Sequence, residues 1–75
     1  MNKDQLQELS DLMNMAKGNL EEAKHYLEEA SKLLRAQEDD FLNVRGKSLW
    51  KIAKNAMENY WNIDSHMKDM GMKEC

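Results

Sequence analysis

Two pairs of residues in this chain have the spacing of metal ligands on a helix, Glu22-x-x-His25 and His66-x-x-Asp69. Residues three apart share a helix face, so each pair can offer one carboxylate and one imidazole to a divalent ion, as in di-metal helical bundles. A hairpin turning at Gly46 would set the two pairs at the same height. Such a site also needs its ligands to project inward, and the surrounding sequence turns them outward: Leu20, Ala23 and Leu27 claim the inner face around His25. Cys75 is the one thiol, with no Ser/His/Asp or Cys/His set to activate it and no Gly-rich phosphate loop elsewhere. The chemistry-bearing residues therefore predict a non-enzyme that holds no metal and calls for no cofactor.

A different kind of site is suggested where Arg45, Lys47, Lys51 and Lys54 gather around Trp50, with Met57 and Trp61 further along the same face. Positive charge beside large apolar side chains suits a contact surface for nucleic acid or for an acidic protein partner, in the second case with the aromatics as anchors and the lysines as a polar rim. The alternative is that the two tryptophans fill a core while the lysines keep it soluble. Residues 1–44 carry five Lys/Arg against ten Asp/Glu, and residues 45–75 carry six against four, so the basic character is local within a net charge of −3. Duplex DNA is not the expected partner, because phosphate contact needs more charge than this patch supplies.

These residues are positioned by helices. Leu6, Leu9, Met13, Ala16, Leu20, Ala23, Leu27, Ala30 and Leu34 alternate spacings of three and four, the pattern of a helix burying one narrow seam; after Gln37 the phase resumes at Phe41 and Val44. Ala16, Ala23 and Ala30 allow a close-packed partner. The predicted first helix runs over about 4–44, capped by Asn2 or Asp4. Two places weaken it. Gly18-Asn19 with Glu22 has the form of a stop and restart, although the seam crosses it in phase. Near residue 38, acid piles up where a helix C-terminus disfavours it, so Asp39 or Asp40 can recap a last short turn. Arg45-Gly46-Lys47-Ser48 has a basic last turn, a Gly terminator and a Ser cap in order, and is read as the hairpin turn. A second helix over about 49–70 follows, with the seam Leu49, Ala53, Ala56, Tyr60, Ile63, Met67 and Met70, ended by Gly71 before a frayed tail over 71–75.

The fold class is accordingly all-α: an antiparallel helical hairpin with a coiled-coil-like seam, in one domain. At 1.5 Å per residue the first helix would be about 60 Å long and the second about 33 Å, so the second runs out near residue 21. Leu6, Leu9, Leu12 and Met13 are then uncovered. Either a second copy covers them in a homodimer, or the chain folds back at Gly18 into a monomeric three-helix bundle.

The remaining bounds concern setting. A lone cysteine suits a reducing cytoplasm, no basic segment leads into an apolar block at Met1–Gln5, and no apolar run approaches the roughly 20 residues of a membrane span. A cytoplasmic, non-membrane protein is expected. In outline, a two-helix hairpin with Trp50 near its turn and Tyr60-x-x-x-Asp64 late in the chain resembles the WXG100 secreted proteins, which would imply a helical secretion partner. The Trp-x-Gly of that family is absent, since the order here is Gly46-x-x-x-Trp50. The residues themselves point to a small interaction module, such as a phage- or mobile-element-type adaptor or inhibitor of a host protein. A purely structural, self-assembling helical protein is the other class they allow.

Overall fold

Asn2 starts the first helix by reciprocal capping. Its side chain accepts from the Gln5 N–H at 2.8 Å, and the Gln5 side chain accepts from the Asn2 N–H at 3.2 Å. From there α1 runs over Lys3–Arg35 in the computed structural model, which describes residues 1–72. Gly18 does not break it. The glycine is exposed, with nothing within 4 Å of where a Cβ would stand, and the helix carries its seam straight through. The three-helix alternative is thereby set aside.

The chain reverses nine residues earlier than the expected turn at 45–48, over 36–39. Ala36 is the C-cap of α1 and Asp39 the N-cap of α2, which spans Asp40–Asp69. Asp39 is extended and accepts from the Leu42 N–H at 3.1 Å, while the Asn43 side-chain amide donates to the carbonyls of Gln37 and Asp39, each at 2.9 Å. The acidic run that a helix C-terminus disfavours is favourable at a helix N-terminus, where it meets the positive end of the dipole. Asp39 thus caps the whole second helix rather than a last short turn of the first.

The expected turn 45–48 is therefore corrected: all four residues lie inside α2. Ser48 does not cap; its hydroxyl donates back to the Val44 carbonyl at 3.2 Å, a bond that helices accommodate. Gly46 is buried for a different reason than turning. A Cβ there would stand 2.8 Å from Arg35 Cγ, 3.1 Å from Leu34 Cβ and 3.1 Å from the Ser31 carbonyl, so its lack of a side chain lets the helices approach. Phe41 and Val44, read as a continuation of the first seam, are more than half exposed; Leu42, Gly46 and Leu49 turn inward instead.

The two helices pack against each other, and burial falls on most of the expected inward positions. From Leu9 to Leu34 the α1 seam is half-buried along its length, and Leu49, Ala53, Ala56, Tyr60, Ile63 and Met67 face inward from α2, while Met70 is exposed. Among the described residues only Ala53, Ala56 and Met67 are buried apolar side chains, so this is a thin core. Gly71, at φ +72°, ends α2: the Met72 N–H bonds the Met67 carbonyl at 2.8 Å and the Gly71 N–H bonds the Lys68 carbonyl at 3.0 Å, the paired bonds of a left-handed helix terminator. The expected frayed tail beyond Met72 lies outside the described residues.

Moving the turn matches the two arms. Helices of 33 and 30 residues are about 50 and 45 Å long, within a hairpin of 56 × 16 × 14 Å. Asp64 lies against Lys17, and α2 continues more than a turn beyond it to Asp69. The bare arm that called for a second copy therefore shrinks to the first turns of α1. Leu9 and Met13 are half-buried within the single chain; Leu6 and Leu12 are exposed. No helix among the described residues is long and apolar enough to cross a membrane.

Candidate functional site

Trp50, Met57 and Trp61 do come together. They lie on the side of α2 adjacent to the buried row, because positions 50, 57 and 61 follow the inward positions 46, 53 and 60 by one to four residues. With Ala53 as floor, and with Lys24 and Glu28 of α1 opposite, they line an open groove of about 260 Å³ between the helices. Ala53 matters to its depth, since a larger residue there would fill it. Trp50 is half-buried; Trp61 is 57% exposed and meets Tyr60 edge-to-face, with ring centroids 4.9 Å apart.

Cations flank this apolar surface. The Arg35 guanidinium carbon is 5.6 Å and the Lys54 ammonium 5.7 Å from the Trp50 ring centre, both within reach of the ring quadrupole. Lys24 pairs with Glu28 at 3.2 Å along one rim, and Glu58 lines the groove beside Lys54. The rim is thus of mixed sign rather than purely basic. Of the expected basic residues only Lys54 lines the groove; Lys47 is exposed two turns nearer the hairpin turn on the row of Lys54 and Trp61, Lys51 is exposed further round α2, and Arg45 sits elsewhere, 4.9 Å over the Phe41 ring.

A second constellation escaped the sequence. Lys17, 5% exposed, donates to Asp64 Oδ1 at 2.9 Å, and Asp64, 3% exposed, also receives Lys68 at 3.0 Å on Oδ2. The Lys17 ammonium lies 4.9 Å from the Tyr60 ring centre. Tyr60 and Asp64 are one helical turn apart, so the Tyr-x-x-x-Asp spacing grips one lysine from the opposite helix. Its role here is packing. The signal was present, an opposite-charge pair flanking both seams, but it becomes visible only with the turn at 36–39. With the turn at Gly46, Lys17 falls opposite the chain end.

The metal-like pairs are separated. Asp64 at Lys17 places His66 near that end of the hairpin, while His25 is about two turns further along α1. Glu22, His25 and His66 are all exposed, and His25 stacks edge-on against Tyr26 at 5.6 Å. No group of three His, Cys, Asp or Glu among the described residues is placed to hold a metal ion. Cys75 lies outside the described residues.

No protein-family model matches this chain, and no curated protein or solved structure is significantly similar to it. The outline on which the WXG100 resemblance rested also changes. Trp50 lies well inside α2 rather than beside the turn, and Tyr60 and Asp64 are occupied by Lys17.

Proposed function

We propose that this hairpin is a non-enzymatic protein-binding module that takes an apolar side chain of an amphipathic segment into the groove of Trp50, Met57 and Trp61. The observation that carries this reading is the position of Trp61, 57% exposed at the edge of a groove whose other walls are Trp50, Ala53 and Met57. Burying one aromatic of that size is worth about 2 to 3 kcal/mol, so an exposed Trp beside a ready apolar floor is a binding anchor in waiting. The alternating signs of Lys24, Glu28, Lys54 and Glu58 around it favour a polar segment with charges of both signs over a purely acidic one. An adaptor or inhibitor of another protein works through such a surface alone, which accords with the absence of a catalytic set in the sequence.

Trp61→Ala tests this directly. Wild type and variant are compared for melting temperature and for stoichiometric capture of a protein from extract. Capture by the wild type, lost in the variant at an unchanged melting temperature, is the expected result. A fall in melting temperature of more than about 10 °C for Trp61→Ala, or capture that survives it, would remove the groove as the binding surface.

A further inference from the structure

On the side of the hairpin away from the groove, both helices present rows spaced by seven residues. In α1 the row is Leu12, Asn19, Tyr26 and Leu33; in α2 it is Arg45, Ile52, Asn59 and His66. Residues seven apart keep one face of a helix, and in an antiparallel pair the rows preceding the two seams lie on a common side. The apolar members are open: Leu12 57%, Tyr26 68%, Leu33 69% and Ile52 50% exposed. In a chain that is 33% charged, Arg45 is the single Lys, Arg, Asp or Glu in these rows. Its guanidinium lies over the exposed Phe41 ring.

We infer that this face is covered by a second copy of the chain, giving a two-fold symmetric four-helix bundle with the hairpin turns at opposite ends. Three features of the molecule select that occupant. The buried apolar core among the described residues consists of Ala53, Ala56 and Met67, too little for two layers, so the missing layer must be present whenever the chain folds. A second copy is the partner always present at equal amount. The face also pairs large residues with small ones: Leu12, Tyr26, Leu33 and Ile52 are exposed, and Ala16, Ala23 and Ala30, half-buried beside them at the seam, offer little bulk against a copy turned two-fold. The rows run over 12–33 and 45–66, roughly 32 Å at 1.5 Å per residue, and with the 14 to 16 Å width of the hairpin they provide about 500 Å² per chain, the size of a small, reversible dimer contact.

Electrostatics agree. The two rows themselves carry one charge, that of Arg45, while the exposed Glu22 and Glu29, about one turn either side of Tyr26, lie along their edge, so a partner recognised by charge would meet a charged rim and not a charged face. With the turns at opposite ends, the two Arg45 residues lie at opposite ends of the bundle. The groove of Trp50 and Trp61 stays on the outside, so this assembly neither requires nor blocks the proposed binding site.

Light scattering at about 50 µM is expected to give twice the chain mass of 8.8 kDa. Ile52→Glu combined with Tyr26→Glu should return it to the monomer, while Trp61→Glu, a comparable change on the groove side, should leave the dimer. In the wild type, hydroxyl-radical footprinting at high and low concentration gives an independent readout: Tyr26 and Leu33 should lose reactivity several-fold on concentration, and Trp61 should not. A monomeric mass for the wild type, a dimer that survives the double substitution, or unchanged reactivity of Tyr26 and Leu33 would each overturn the inference.

Discussion

The Ser31 hydroxyl donates to the carbonyl of Gly46 across 2.7 Å, a side-chain bond between two helices made possible because residue 46 has no side chain. Ser31 is wholly buried, and its hydroxyl is satisfied only while the helices stay this close. Gly46→Ala would place a methyl against Leu34 Cβ and the Ser31 carbonyl, neither of which can swing aside as Arg35 Cγ can. The expected loss is about 1 to 3 kcal/mol, the usual cost of overpacking.

Gly18→Ala should do the opposite. Gly18 is helical and exposed with open space around it, so alanine gains intrinsic helix propensity and meets nothing. A gain of about 1 kcal/mol is expected, seen as a rise of roughly 4 to 8 °C in melting temperature for a domain this size. Thermal melts of the two variants side by side check both signs; equal effects would mean that Gly46 is not a helix contact.

The Lys17–Asp64 pair predicts strong non-additivity. Asp64→Ala leaves a buried ammonium without its carboxylate and should cost about 3 to 5 kcal/mol. Lys17→Met with Asp64→Leu removes both charges and keeps the volume filled, so the double variant should regain most of that loss. Chemical denaturation of the single and double variants gives the coupling. If the double is as unstable as Asp64→Ala, the pair is not what holds this end of the hairpin.

The sequence made the helical class and most of the inward positions legible, because a seam spaced three and four is written in the chain whatever the helix packs against. The register was hidden. Gly46 carries the signal of a terminator, and the other use of glycine, close approach, depends on a partner helix that the local sequence does not reveal. Asp39 and Asp40 carry the chemistry of capping residues, yet local sequence does not distinguish the cap of a long helix from that of a short final turn. The groove was legible as Trp50, Met57 and Trp61, since one helix contains all three. Lys24 and Glu28 on its rim, and the grip of Tyr60 and Asp64 on Lys17, required the register and so stayed invisible.

Gly71 offers a local test of the helix end. Its φ of +72° is strained for a residue with a Cβ, so Gly71→Ala should lose about 1 to 2 kcal/mol. Amide exchange of Met72, whose N–H bonds the Met67 carbonyl at 2.8 Å, should quicken in that variant. Unchanged exchange would mean that this terminator does not form in solution.

The position of the reversal is open to a length test. Two glycines inserted between Gln37 and Glu38 lengthen a connection of four residues, Ala36 to Asp39, and each doubling of a flexible loop costs only about 0.6 kcal/mol. The helices on either side keep their faces, so a cooperative melt within a few degrees of the wild type is expected. The same insertion between Gly46 and Lys47 adds about 200° of rotation at 100° per residue, if the helix continues. Ala53, Ala56 and Met67 would leave the core together, and Asp64 would leave Lys17. That variant should lose its cooperative transition. The reverse pattern, tolerance at Gly46 and collapse at Gln37, would put the turn back at 45–48 and with it the bare arm of α1.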